Sequence, residues 1–155
     1  MRIEISDLAH DELRDLLVRV SLEWEKRFGV APRITDTVAE FDAAKLKNTS
    51  LEIGKGRHES DTAVTKGVDF RKGNVGFQVK SNRPSGKPGS PVTLVNGPRN
   101  YNWNKLIWIL YDRDYNLKEA WEFSRDEYRE RFYHKKRLSP DDMRSGHRLK
   151  PPIST

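Results

Sequence analysis

Apolar residues first recur at helical spacing near the N-terminus, where Leu13, Leu16, Leu17, Val20, Trp24 and Phe28 fall three and four positions apart. That period predicts an amphipathic helix from Ser6 to about Phe28, with Asp11 and Glu12 suited to its positive first turn. Gly29 supplies a C-terminal stop and Pro32 follows it. A shorter helix is predicted from Thr37 to about Leu46, with Val38, Phe41, Ala44 and Leu46 as its apolar positions. Residues 48–66 are polar and read as a loop leading into a strand near Ala63 and Val64. The period then changes to that of strands. Val68 to Arg71 and Val75 to Val79 form the arms of a hairpin turning at Lys72-Gly73-Asn74, where glycine accepts positive φ.

Ser81 to Pro91 holds three prolines and two glycines and reads as an irregular loop. Leu106 to Tyr111 (LIWILY) is an apolar run that fits a strand buried on both faces. A turn at Arg113-Asp114 leads to another strand, Leu117 to Phe123. Ser124 and Glu127 then make a capping box for a helix from Arg125 to about His134. The tail beyond Leu138 reads as irregular. The order predicts one domain over 1–155 of α/β (α+β) class, a mixed β-sheet flanked by helices. Residues 1–35 form an N-terminal helical extension, 37–135 the core and 138–155 the tail.

Composition narrows the classes. Hydrophobic residues are 35% and charged ones 34%, a small core under a charged surface. The absence of cysteine excludes disulfides, zinc–thiolate sites and thiol nucleophiles together. No apolar run approaches a membrane span, and MRIEISDLAHDE is too polar for a secretion signal, so the expectation is a soluble, cytoplasmic protein. The net charge of +6 is uneven: −4 over residues 1–44, +7 over 45–100 and +3 over 101–155. The positive excess surrounds the hairpin, as expected if a polyanion docks there or if loop lysines simply keep the chain in solution.

The hairpin carries the candidate chemistry. Alternation puts Gln78 and Lys80 on one strand face with Val79 on the other, and residues whose numbers sum to about 147 stand opposite each other. Asp69 therefore faces Gln78. A carboxylate and an amide oxygen are hard ligands suited to Mg²⁺ or Mn²⁺, and a neighbouring lysine orients water or balances developing charge. Phosphodiester hydrolysis needs these parts. Arg83 and Lys87, on the loop leaving the strand, are candidates to hold phosphates, as is Arg99. The plainer reading of Asp69 and Lys80 is an ion pair on a wet sheet face.

Gly67-Val68-Asp69 followed by Gln78-Val79-Lys80 resembles the PD-(D/E)XK nuclease superfamily, in its QxK variant similar to Mrr-type restriction endonucleases. The resemblance covers roughly residues 37–125 and implies a restriction-endonuclease-like fold. It also implies a metal-dependent endonuclease acting on DNA, of restriction or defence type. Asp69, Gln78, Lys80 and Glu40 would be its catalytic residues. Asp69, Glu40, Gln78 and the Val79 carbonyl would hold Mg²⁺ or Mn²⁺, and Lys80 would position water. The superfamily's second acid is Gln78 here, and Glu40 in TVAEFDAAKL matches the helix acid that compensates in QxK relatives. Against that role stands a local one, because Thr37 and Glu40 also form a capping-box pattern. The alternative is a nuclease fold that binds nucleic acid without catalysis, and RNA remains a second possible partner. Cutting both strands would call for a homodimer.

Other residues read more simply. Asp42 is expected as a solvated helix residue and Asp61 as a loop carboxylate, while His58, His134 and His147 lack metal or triad spacing. Trp108 belongs to the core. Trp103, in YNWNK beside the basic loop, is the candidate for base stacking. Lys135-Lys136-Arg137 is expected as a charged helix end.

Overall fold

The computed structural model describes residues 2–57, 67–84 and 94–150. A 3₁₀ turn at Ile5–Asp7 precedes α1 (His10–Phe28) and α2 (Thr35–Leu46). The strands are β1 (Phe70–Lys72), β2 (Val75–Asn82), β3 (Val95–Asn96), β4 (Lys105–Tyr111), β5 (Leu117–Ser124), β6 (Arg137–Leu138) and β7 (His147–Arg148). Two further helices, α3 (Arg125–Phe132) and α4 (Pro140–Met143), complete the chain. The fold is α+β: a mixed sheet of order β1-β2-β4-β5-β7 with helices on both faces, and a separate β3-β6 ladder. β2 and β4 run parallel; every other pairing between these strands is antiparallel. Among the described residues no helix is long and apolar enough to cross a membrane.

β4 is the centre. Its odd positions Ile107, Ile109 and Tyr111 pack under the first two helices with Phe70, Phe77, Val79 and Ala120. Its even positions Leu106, Trp108 and Leu110 pack under α3 with Trp103, Phe123, Tyr128 and Phe132. An apolar residue at every position is what a strand covered on both sides requires. α2 offers the sheet Val38, Ala39, Ala43 and Ala44, all buried. Such small side chains let the helix backbone approach the sheet closely.

α1 departs from expectation. The residues it buries are Val18 and Ser21, whereas Leu17, Leu13, Trp24, Val20 and Phe28 are 39%, 44%, 52%, 56% and 61% exposed. The predicted helix forms, but its packed face is turned by roughly 100°, one residue step, from the apolar stripe. Polar bonds attach it instead. Arg14 holds both oxygens of Asp42, at 3.1 and 2.8 Å, and donates to the Tyr115 carbonyl at 3.1 Å. Tyr111 also donates its hydroxyl to Asp42, which is therefore a half-buried anchor and no solvated residue. Glu25 pairs with Arg83 at 3.1 Å and Asp11 with Lys45 at 2.9 Å.

The tail expected to be irregular is ordered as far as residue 150. Ser139 caps α4 by accepting from the Asp142 N–H at 3.3 Å, Met143 is fully buried, and β7 pairs with β5. The Ser124 cap is present, accepting from the Glu127 N–H at 3.2 Å. α2 starts two residues earlier than predicted, so Glu40 lies inside the helix and takes no part in a cap. The strand expected near Ala63 and Val64, together with His58, Asp61 and Lys87, lies outside the described residues.

Candidate active site

The turn between β1 and β2 decides what stands opposite what. Gly73, at φ 60°, takes the first central position of a two-residue turn, where positive φ suits glycine. The register pairs Phe70 with Phe77, Arg71 with Gly76 and Lys72 with Val75, each pair summing to 147. One step further the Asp69 N–H donates to the Phe77 carbonyl at 2.7 Å. There the ladder ends, because the Asp69 side chain replaces it. Its Oδ2 accepts the Val79 N–H at 2.7 Å and the Gln78 Nε2 at 3.0 Å. Asp69 and Gln78 therefore meet as the numbering implied. Gly67, at φ 88°, admits this entry to the strand; a Cβ there would lie 2.2 Å from the Asn100 Oδ1. Asn100, the neighbour of Arg99, therefore lies directly against the start of the hairpin.

β1 is three residues long and sits at the sheet edge, so β2 beyond Phe77 has an open rim. Both faces of the sheet reach that rim. Lys80 shares its face with Gln78, above Trp108 and Leu106 respectively. Glu40 comes from α2 on the opposite side and lies within hydrogen-bonding reach of Asp69. Its Oε2 accepts from Arg57 Nη2 at 2.7 Å, and the same nitrogen lies 3.4 Å from the Asp69 carbonyl. Near the start of α2, Asp36 accepts from the Ser81 hydroxyl at 2.8 Å.

Burial sets the protonation of the cluster. Desolvation raises Glu40 to about 7, the adjacent Asp69 charge adds to this, and Arg57 opposes it. Asp69 is also raised, mainly by burial, against the Val79 N–H and the charges of Lys80 and Arg57. Burial thus pushes both carboxyls toward their protonated forms. Burial lowers Lys80, Arg99 adds to the shift, and the charges of Asp36 and Asp69 oppose it.

The donor set fits a small hard cation. Two carboxylates and the Val79 carbonyl are oxygen ligands, and Mg²⁺ commonly needs only one or two carboxylates plus water. Gln78 turns its Nε2 to Asp69 and to the Val79 carbonyl, so its oxygen joins the set only if the amide turns over. Among the described residues no group of three or more acidic, histidine or cysteine side chains gathers anywhere, so this pair of acids would have to suffice. Arg57 is the competitor, since its guanidinium already neutralises Glu40.

The expected phosphate and base contacts fare differently. Arg99 is exposed and close enough to bias Lys80. Arg83 is not available: its side chain is 9% exposed, it pairs with Glu25 and donates to the Arg113 carbonyl, and its guanidinium lies 4.6 Å from the Tyr115 ring centre. Trp103 is fully buried, donates its indole N–H to the Asn100 carbonyl at 2.8 Å and packs edge-on against Tyr128. No ring face is left for a base, so that expectation is corrected. Arg57 was not anticipated, because it stands in a polar stretch without period or motif. No protein-family model matches the chain, and no curated protein matches it.

Proposed function

We propose that this protein is a metal-dependent endonuclease that hydrolyses phosphodiester bonds in DNA, of the restriction or defence type, working in the cytoplasm. One observation carries the reading: Glu40 and Asp69, bridged by Arg57, come together at the open rim of β2, where Lys80 and Gln78 also stand. An ordinary surface ion pair would not bring two partly buried acids from different elements close enough for burial and mutual repulsion to raise them.

In this proposal Asp69, Glu40, the Val79 carbonyl and, once its amide turns over, the Gln78 oxygen would hold Mg²⁺ or Mn²⁺. Such an ion, when bound, supplies Lewis acidity toward the scissile phosphate and a water of lowered pKa. Arg57 must leave Glu40 for this, and the Asp69 carbonyl near it gives the guanidinium an alternative partner. Lys80, with its depressed pKa, accepts a hydrogen bond or a proton from the attacking water more readily than a solvated lysine does. Asp69 is fixed by the Val79 N–H, so the geometry does not depend on a mobile loop. Arg99 and the +7 charge of residues 45–100 favour a polyanion.

The test is cleavage of plasmid DNA with Mg²⁺ or Mn²⁺. Asp69→Ala and Lys80→Ala should each abolish it; cleavage that survives both changes overturns the proposal. A second reading, a nuclease fold that binds nucleic acid without turnover, rests on the neutral Gln78 and on Arg57 seated at Glu40. Salt-sensitive DNA binding that needs no metal, with no cleavage in either ion, favours it. Competition between DNA and RNA decides the polymer.

A further inference from the structure

The apolar stripe of α1 has no cover within this chain. Leu13, Leu17, Val20 and Trp24 follow the four-three-four spacing of a coiled-coil seam, and Phe28 extends it. Trp24 and Phe28 pack against each other with centroids 4.7 Å apart and planes tilted by 57°, both more than half exposed. From typical ring areas those two side chains alone leave on the order of 200 Å² of apolar surface in water. Three aliphatic residues add to it, which brings the patch to the scale found at functional surfaces of monomers. Nor is the helix loosely placed. Arg14 to Asp42, Glu25 to Arg83 and Asp11 to Lys45 fix it to the body, so the stripe is presented on a rigid element.

We infer that this stripe is the interface between two copies of the chain, with the two α1 helices packed antiparallel about a two-fold axis. Shape selects the direction. Parallel packing about a two-fold would lay Trp24 on Trp24 and Leu13 on Leu13. Antiparallel packing centred between Leu17 and Val20 sets Leu17 against Val20 of the second copy and Leu13 against Trp24.

Beside Leu13 and Leu17 lies an apolar notch of about 260 Å³, also lined by Val38, Phe41 and Leu51. In this register Trp24 of the second copy falls over that notch, and the two-fold repeats the insertion on the other side. A projecting ring and a hollow on the same surface, spaced to match by self-rotation, define an isologous interface. The exposed Ile3 and Ile5 near one end and Val30 near the other lengthen the seam. Because the two-fold buries the same patch on both copies, the stripe, the notch and these end residues together must supply the roughly 800 Å² per partner of a stable interface.

The experiment is sedimentation equilibrium of the full chain across the micromolar range, without metal or DNA, so its outcome is separate from that of the nuclease proposal. The expected mass is twice 18.0 kDa. Trp24→Glu combined with Val20→Glu should return the single-chain mass with an unchanged circular dichroism spectrum. Because the chain has no cysteine, orientation is read directly. Oxidising a mixture of Leu17→Cys and Val20→Cys proteins should join one to the other, while neither joins itself. A monomeric wild-type chain overturns the inference, including one whose Trp24 binds some other protein. Cross-linking of like with like overturns the antiparallel arrangement.

Discussion

The first two helices make an instructive pair. α1 has the stronger helical period of apolar residues in the chain, and most of that stripe faces water. α2 has little amphipathic contrast, yet four of its twelve residues are buried against the sheet, three of them alanines. Periodicity states which face of a helix is apolar; it does not state which surface covers that face. Side-chain size governs approach. Alanine brings the α2 backbone close to the sheet, and that closeness allows Glu40 to reach Asp69 at the rim. α1 is held further out by guanidinium–carboxylate bonds, which span a wider gap between elements.

The contrast can be broken most severely in α2. Ala43→Leu should overpack the contact with the sheet and cost about 2 kcal/mol, lowering the melting temperature by about 6 °C. An unchanged melting curve would mean the helix does not lie as close as its burial implies. Next comes pH. Glu40 titrates near 7 in the folded protein, well above its ordinary value of 4.5. Between those values the folded state holds a proton that the unfolded chain has lost. The stabilisation is thus complete below about 4.5 and lost as pH rises through 7, on the order of 2 kcal/mol in all. Melting at pH 5 and pH 8 measures the fall; Glu40→Gln should flatten it, and an identical slope in the variant would assign the effect elsewhere. The smallest effect belongs to α1. Val20→Ser, in solution too dilute for association, should change stability by less than about 0.5 kcal/mol, where a core valine would lose far more.

What could be read from the chain beforehand was what depends on neighbours in sequence. The hairpin register follows from one glycine turn, so Asp69 and Gln78 met where their numbers placed them. β4 was legible from its unbroken apolar run, and the cap at Ser124 from four residues. Long-range partners were not legible. Arg83 looks like a free cation in a basic loop until Glu25, fifty-eight positions away, takes it. Trp103 sits among asparagines and reads as exposed, but Tyr128 and Tyr101 enclose it. Asp42 gave no local sign of Arg14 and Tyr111, and nothing in the spacing announced Arg57 at Glu40. The tail after Leu138 looked unstructured because α4 and β7 are too short to show a period.

Four of the five strands of the main sheet form two local hairpins, β1–β2 and β4–β5, joined along one parallel seam. Within the first, partners are three to seven positions apart; across the seam every pair is separated by 28. Chain-closure entropy is modest for either hairpin and larger for the join. The time the protein needs to refold should therefore be set by the meeting of β2 with β4. Until that meeting the two candidate metal-binding acids, which α2 and the first hairpin deliver separately, have no common floor to stand on. Refolding and the appearance of the proposed centre become a single kinetic event.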